Sequence, residues 1–442
     1  MTRRLALFSA LVAAGLLAAC SSPATAPATT TSSATGSENT TSATTDAAPE
    51  GEVDLNFAIF SQDQQPAVQQ VLDAFEKENS NIKVTLQVIP WTDYWSTLQT
   101  TSSGGTGPDV AWMLAAEIGP YLDGGALLPL DDTIKDAGID VSGYPAELVK
   151  LYQSGGATYA LPKDFDTIGL WYNKALFDAK GVPYPTADWT WDDVISNAQK
   201  LTDPATGTFG IAAPLEAQAG YYNTICQAGG YVISPDGTKS GYDLPASIQG
   251  IQFWTDMVNK YKVSPTLASF SDTEAVAQFM SGKIAMMYTG SFYALRFHND
   301  PYASKNFDVQ VLPKGPVSNA SVINGMGNVA FASSKHPEEA KKLAVFLSSP
   351  EASGIYSATG AVLGSYTDTQ QAWVNSFPEF HAQVFLDMVN GAVVYPVSKN
   401  TDAWASQESQ FLTPAWTGTQ SVQDAASGLA TAMNTALAAE QG

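Results

Sequence analysis

Cysteine is almost absent: the 442 residues hold two, Cys20 and Cys226, too few for an internal disulfide framework. Histidine is nearly as scarce. His298, His336 and His381 lie far apart and are never paired at helical spacing, which argues against a histidine-based zinc site or a Ser-His-Asp triad. Cations are few as well, 21 Lys and Arg against 43 Asp and Glu, for a formal net charge of −22. Nucleic-acid binding needs a basic footprint for the phosphates, and adhesion to an anionic lipid surface by charge needs the same. This balance excludes both. Charged residues are only 14% of the chain, against roughly 25% in soluble proteins generally, while 45% are hydrophobic. Such a chain has enough apolar mass for sizeable cores and cannot be disordered over most of its length. The length suits two or three domains.

Catalytic signatures are missing too. Gly325-Met326-Gly327-Asn328-Val329-Ala330 matches a dinucleotide pattern, but the next helix starts only at Pro337, so the required strand-to-helix turn is absent. Gly237-Thr238-Lys239-Ser240 lacks the first glycine of a P-loop and reads as the exit of a turn at Ser234-Pro235-Asp236-Gly237. There is no GxSxG and no HExxH. Two carboxylates suffice for a glycosidase, but with 43 acids that requirement is met by chance. No catalytic residue, metal or cofactor is assigned.

The one long apolar run is at the start. Arg3 and Arg4 precede Leu5 to Leu17, and Leu17-Ala18-Ala19-Cys20 places small residues before a cysteine. Residues 1–19 read as an export signal, too short for a comfortable membrane span of about 20 residues. The pattern resembles a lipoprotein signal in which Cys20 is acylated. Of residues 21–50, twenty-five are Ser, Thr, Ala or Pro. Such a segment cannot bury surface, and 20–50 reads as a tether reaching on the order of 30 Å. Cys226 is then left alone and reads as a small buried residue. No later segment is apolar for 18 residues, so a soluble body outside the membrane is expected.

That body begins near Val53. Val53, Leu55, Phe57 and Ile59 alternate as a strand, and Val68, Val71, Leu72 and Phe75 form a helix stripe. Ile82, Val84, Leu86 and Val88 alternate again. Strand, helix and strand this close make a βαβ unit with parallel strands. Trp91 to Thr101 reads as a helix, Asp109 to Met113 as a short strand, and Ile284 to Tyr288 as another. Thr190-Trp191-Asp192-Asp193 is a capping box. Beyond about residue 349 the pattern is almost wholly helical. The fold class is α/β twice over, with a helical C-terminal end.

Ten Trp, 18 Tyr and 19 Phe remain to be explained. Trp91, Trp112, Phe165, Tyr221, Tyr222, Phe292 and Trp404 stand beside polar residues rather than in helix stripes. Rings with carboxylates and amides around them suit a sugar, with its C–H faces and hydroxyl edges. They suit an organic cation equally well.

Short elements then recur in a set order. Trp91-Thr92-Asp93-Tyr94 precedes Ser-Gly-rich residues and Pro108-Asp109-Val110, and Tyr159-Ala160-Leu161-Pro162 leads to Tyr172-Asn173-Lys174. Phe279 to Met286, Gly290-Ser291-Phe292, Val311-Leu312-Pro313, Pro337 to Ala340 and Phe346 to Glu351 follow. Over nearly 400 residues this order resembles the extracellular solute-binding proteins of bacterial ABC importers, in the maltose-binding-protein-like sugar-binding family.

The resemblance implies a two-lobe periplasmic-binding-protein-like fold whose hinge is crossed near Asp166–Leu170, Gly290 and Leu347. Lobe one would be 51–166 plus 292–347, and lobe two 167–291 plus 348–442. The resemblance also implies ligand-binding positions. Gln62 and Asp63 follow the first strand, and Trp112 ends another. Asp166 precedes the hinge, and Tyr221 and Tyr222 precede Gly229-Gly230. Phe292 stands where the family commonly has a stacking Trp, and Trp404 is a late aromatic. Asn324 and Met326 replace a Gly-Gly turn. The implied protein is a monomer, lipid-anchored at Cys20 to the outer face of the cytoplasmic membrane. It would capture a sugar or oligosaccharide by lobe closure and dock on ABC permease subunits. A polyamine or other organic cation as cargo is one alternative reading, and a surface glycoside hydrolase is a second.

Overall fold

A computed structural model describes residues 51–441. The export signal, Cys20 and the 20–50 tether lie outside the described residues. Eleven short strands and a larger number of helices make up the described chain. In order the strands are β1 (Val53–Ile59), β2 (Ile82–Val88), β3 (Val110–Leu114), β4 (Gln153–Ser154) and β5 (Ala157–Thr158). They continue with β6 (Pro162–Asp166), β7 (Ile168–Asn173), β8 (Met286–Gly290), β9 (Phe307–Gln310), β10 (Val322–Ala330) and β11 (Val393–Val394).

The alternating residues of β1 turn inward, Leu55, Phe57 and Ile59 being buried. Parallel pairing puts Phe57 opposite Leu86 of β2 and Val110 of β3, the parallel arrangement expected from the βαβ pattern. The crossover helix Gln65–Glu78 lays Val68, Val71, Leu72 and Phe75 on this sheet, all buried. The first sheet runs β11-β10-β3-β1-β2, with β6 also paired to β10. The second is antiparallel, in the order β8-β7-β9. Its cover includes the helix Trp191–Leu201, whose capping box at Thr190 and Asp193 is present as read from the sequence. The second sheet is buried on both faces: Leu170 and Tyr172 join one core, Trp171 and Val309 another. The C-terminal portion is helical apart from β11. Among the described residues no helix is long and apolar enough to cross a membrane.

The chain passes from the first sheet to the second at Thr167, between β6 and β7. The next two passages fall later than expected. Residues 292–310, read as lobe one, stay with the second sheet, because β9 pairs with β7 (Leu170 opposite Gln310, Asn173 opposite Phe307). The return comes at β10. The helix Pro350–Ala358, read as lobe two, places Ala352 and Tyr356 in the core of the first sheet, so the chain leaves that core only after Val362. Both shifts have one cause. Short motifs carry only local order, whereas membership of a lobe is decided by pairing and packing between residues more than a hundred positions apart.

Candidate functional site

Where β6 and β10 end, the two lobes face each other across a cleft of about 560 Å³, within the range of about 300–1,000 Å³ typical of small-molecule sites. Its two most open rings come from opposite sides. Trp91, at the start of the helix Trp91–Ser103, is 51% exposed, and Phe292, just after β8, is 40% exposed. Pro90 fixes the chain before Trp91, and Phe60 supports the indole edge-on at 4.8 Å. Phe60 in turn rests on the buried Trp112, 5.1 Å away. On the other wall Gly290 makes room for Phe292, since a Cβ there would lie 2.2 Å from its ring.

The floor is polar. The β6–β10 pairing shifts register between Met326 and Gly327, an irregularity of the kind that re-aims side chains beside sites. Asp164 Oδ1 accepts from the Met326 N–H at 3.1 Å, and its other oxygen pairs with the fully buried Lys163. The Lys163 ammonium also sits 4.3 Å from the Trp112 ring centre. Gln218 reaches over from the second lobe, donating to Asp166 and accepting from Asn324 Nδ2 at 3.1 Å. Burial first, and the neighbouring Asp164 charge second, hold the Asp166 carboxyl well above the usual range. Gln218 is presented by a single π-helical turn, Ala217–Tyr221, in which the Tyr221 N–H donates to the Glu216 carbonyl at 3.1 Å. Such turns are frequent at functional sites. Arg296 is the one cation lining the cleft among the described residues, against Asp63, Asp164, Asp166 and Glu216.

Of the positions marked from the sequence, Gln62, Asp63, Asp166, Phe292, Asn324 and Met326 line this cleft together. Trp112, Tyr221, Tyr222 and Trp404 do not. Trp112 lies in the core of the first sheet, where it props the cleft's aromatic wall from behind. Trp404 is buried in the second lobe, its indole N–H donating to Ser398 Oγ at 2.9 Å. Tyr221 and Tyr222 donate to the buried carboxylate of Glu408 at 2.7 and 2.6 Å, joined by Tyr242. Burial lifts Glu408 to about 6 against the pull of these three hydroxyls. Cys226 is half-buried, and burial raises its thiol to about 11, leaving it un-ionised near neutrality. Several lining residues were not marked as ligand positions, among them Trp91, Asp164, Glu216, Gln218, Tyr293 and Arg296. Glu216 and Gln218 sit in a run with no apolar period, a polar break before a tyrosine pair and the only signal available. Among the described residues no group of three or more His, Cys, Asp or Glu could hold a metal ion.

A cleft between two α/β lobes can enclose a small solute, and known proteins share this arrangement. A solved ABC substrate-binding protein of Listeria monocytogenes, in complex with cycloalternan, superposes with a TM-score of 0.82 at 27% identity, over 88% of this chain and 99% of that one. A galactooligosaccharide-binding protein of Bacillus subtilis is 28% identical over 290 residues, 63% of this chain and 65% of its own. A Brucella abortus protein named only as a binding protein is 28% identical over 309 residues, 68% of this chain and 73% of its own. Residues 61–354 match the family described as bacterial extracellular solute-binding protein, and the chain belongs to that family.

Proposed function

We propose that this protein captures a sugar or oligosaccharide in the interlobe cleft and hands it to an ABC importer. The observation that carries the reading is the pair of exposed rings, Trp91 and Phe292, on opposite walls above a floor of carboxylates and amides. A pyranose offers two apolar faces and a rim of hydroxyls, and this cleft offers two ring platforms and a rim of acceptors and donors. Asp166, Gln218 and Asn324 supply the hydrogen bonds, and only a ligand bridging both walls gains from both. Binding therefore favours a closed form. The relatives lend support: besides the Bacillus subtilis protein, one from Halalkalibacterium halodurans is named as arabinooligosaccharide-binding and one from Pyrococcus abyssi as maltotriose-binding. We further propose that Cys20 carries a lipid anchor, that residues 20–50 are its tether, and that the protein acts as a monomer without catalysis.

Thermal unfolding of the purified protein against a panel of mono- and oligosaccharides, with spermidine alongside, tests the reading. A ligand at 100 times its dissociation constant is expected to add about 2.7 kcal/mol to stability. Stabilisation by one saccharide class, with no reducing ends released, is the expected result. Stabilisation by spermidine alone would refute the sugar reading.

A further inference from the structure

Behind the Trp91–Phe292 gap the cleft opens into a side chamber of about 420 Å³, lined mainly by the second lobe. Its deep wall is aromatic: Trp254 and Tyr288 meet edge to face at 5.0 Å, with Phe270 close by. Trp91, Phe292, Tyr293 and Glu216 line both spaces, so one ligand can run from one into the other. Three features set the chamber apart. It holds the solvent-open carboxylates of Glu216 and Glu274, and among the described residues neither has an ion-pair or side-chain hydrogen-bond partner. No Lys, Arg or His lines it among the described residues, whereas the main cleft has Arg296. Tyr288 forms part of the wall, is only 4% exposed, and its hydroxyl has no partner.

A neutral hydroxyl rim does not call for two carboxylates without a basic neighbour beside aromatic faces. A charged amine does: rings attract a cation through their faces, and carboxylates pair with it. Tyr293 reports the local field. Burial lifts its hydroxyl most, Arg296 opposes the lift, and Glu274, Glu216 and Asp63 all add to it, so these carboxylates act on one point at the chamber mouth.

We propose that the side chamber receives the end of a saccharide bearing a basic nitrogen, an unacetylated amino sugar, with Glu216 and Glu274 as its charge partners. The inference rests on the sugar reading and narrows it. The neutral part of such a ligand lies between Trp91 and Phe292, and the amine-bearing ring passes inward against Trp254.

The test pairs amino sugars with their neutral parents, glucosamine with glucose and galactosamine with galactose, as monomers and as β-1,4 oligomers. Titration calorimetry on the whole protein is run near neutral pH, because burial raises the Glu216 carboxyl and acid would discharge that partner. The expected result is at least one pair in which the amine binds about tenfold more tightly at low salt, with the advantage shrinking several-fold at high salt. In Glu274→Gln the ratio of amine to neutral affinity is expected to fall towards one, while unfolding temperature stays that of the parent protein. Amines that bind no better than their parents overturn the inference and leave the sugar reading standing wherever a neutral sugar binds. Amine binding unaffected by both salt and Glu274→Gln overturns it as well. Silence from every sugar, here and in the wider panel, overturns both.

Discussion

Trp91 leaves half its surface to solvent, whereas Trp112, 21 positions later, leaves none. Substitution separates these roles. Trp91→Ala is expected to change stability by no more than about 0.5 kcal/mol, as surface replacements do, while weakening sugar affinity at least tenfold, about 1.4 kcal/mol. Trp112→Ala removes a core ring and the platform under Lys163, so it is expected to cost about 3–5 kcal/mol of unfolding free energy. Denaturant unfolding together with ligand titration checks both. The pair also shows what one residue reveals in a sequence. Trp91 opens a helix and Trp112 lies in a short strand, and nothing local distinguishes a ring that faces a cleft from one that supports it.

The turn from Ala217 to Tyr221 is the element on which the polar floor depends, and it is held from below. Glu408 accepts from Tyr221, Tyr222 and Tyr242, while the Val322 N–H donates to Asn223 Oδ1 at 2.8 Å, tying the next turn to β10. Glu408→Ala leaves three buried hydroxyls without their acceptor, and each stranded polar group costs about 1–3 kcal/mol, so severe destabilisation is expected in thermal unfolding. The pH dependence has a definite sign. A carboxyl raised from 4.5 to about 6 binds its proton more tightly in the folded state. Its contribution is therefore most favourable at acid pH and declines by about 2 kcal/mol as pH rises through 6. Glu408→Gln is expected to flatten that part of the stability profile. From the sequence, the tyrosine pair followed by glycines suggested a ligand platform. Three separate segments assemble the cluster around Glu408, and no spacing rule encodes such an assembly. By contrast, the βαβ unit and the capping box at Thr190 were legible, because each is settled by contacts within a few tens of residues.

Across the whole molecule, the lobes touch again away from the cleft, between the end of β3 and residues 397–402. Lys399 Nζ lies 3.4 Å from Asp123, and Gly119 has no room for a side chain, since a Cβ there would lie 1.8 Å from the Lys399 carbonyl oxygen. Glu117 is raised to about 7 by burial first and by the Asp402 charge second, so this seam carries like charges above neutrality. Gly119→Ala is expected to force the seam apart and enlarge the ligand-free radius of gyration in small-angle scattering. The two-lobe plan was readable from the order of short motifs, but where the chain changes lobe was not. That depends on β9 choosing β7 and on the helix Pro350–Ala358 choosing the first core. The proposed function resides in the space between the lobes. Calorimetric titration of the saccharide panel into the parent protein and into Trp91→Ala/Phe292→Ala tests it most directly. The expected result is one saccharide class bound by the parent at one site per chain, with affinity reduced about a hundredfold or more in a double variant that unfolds like the parent. Equal affinity in the two proteins, or a parent that binds spermidine and no saccharide, would contradict it.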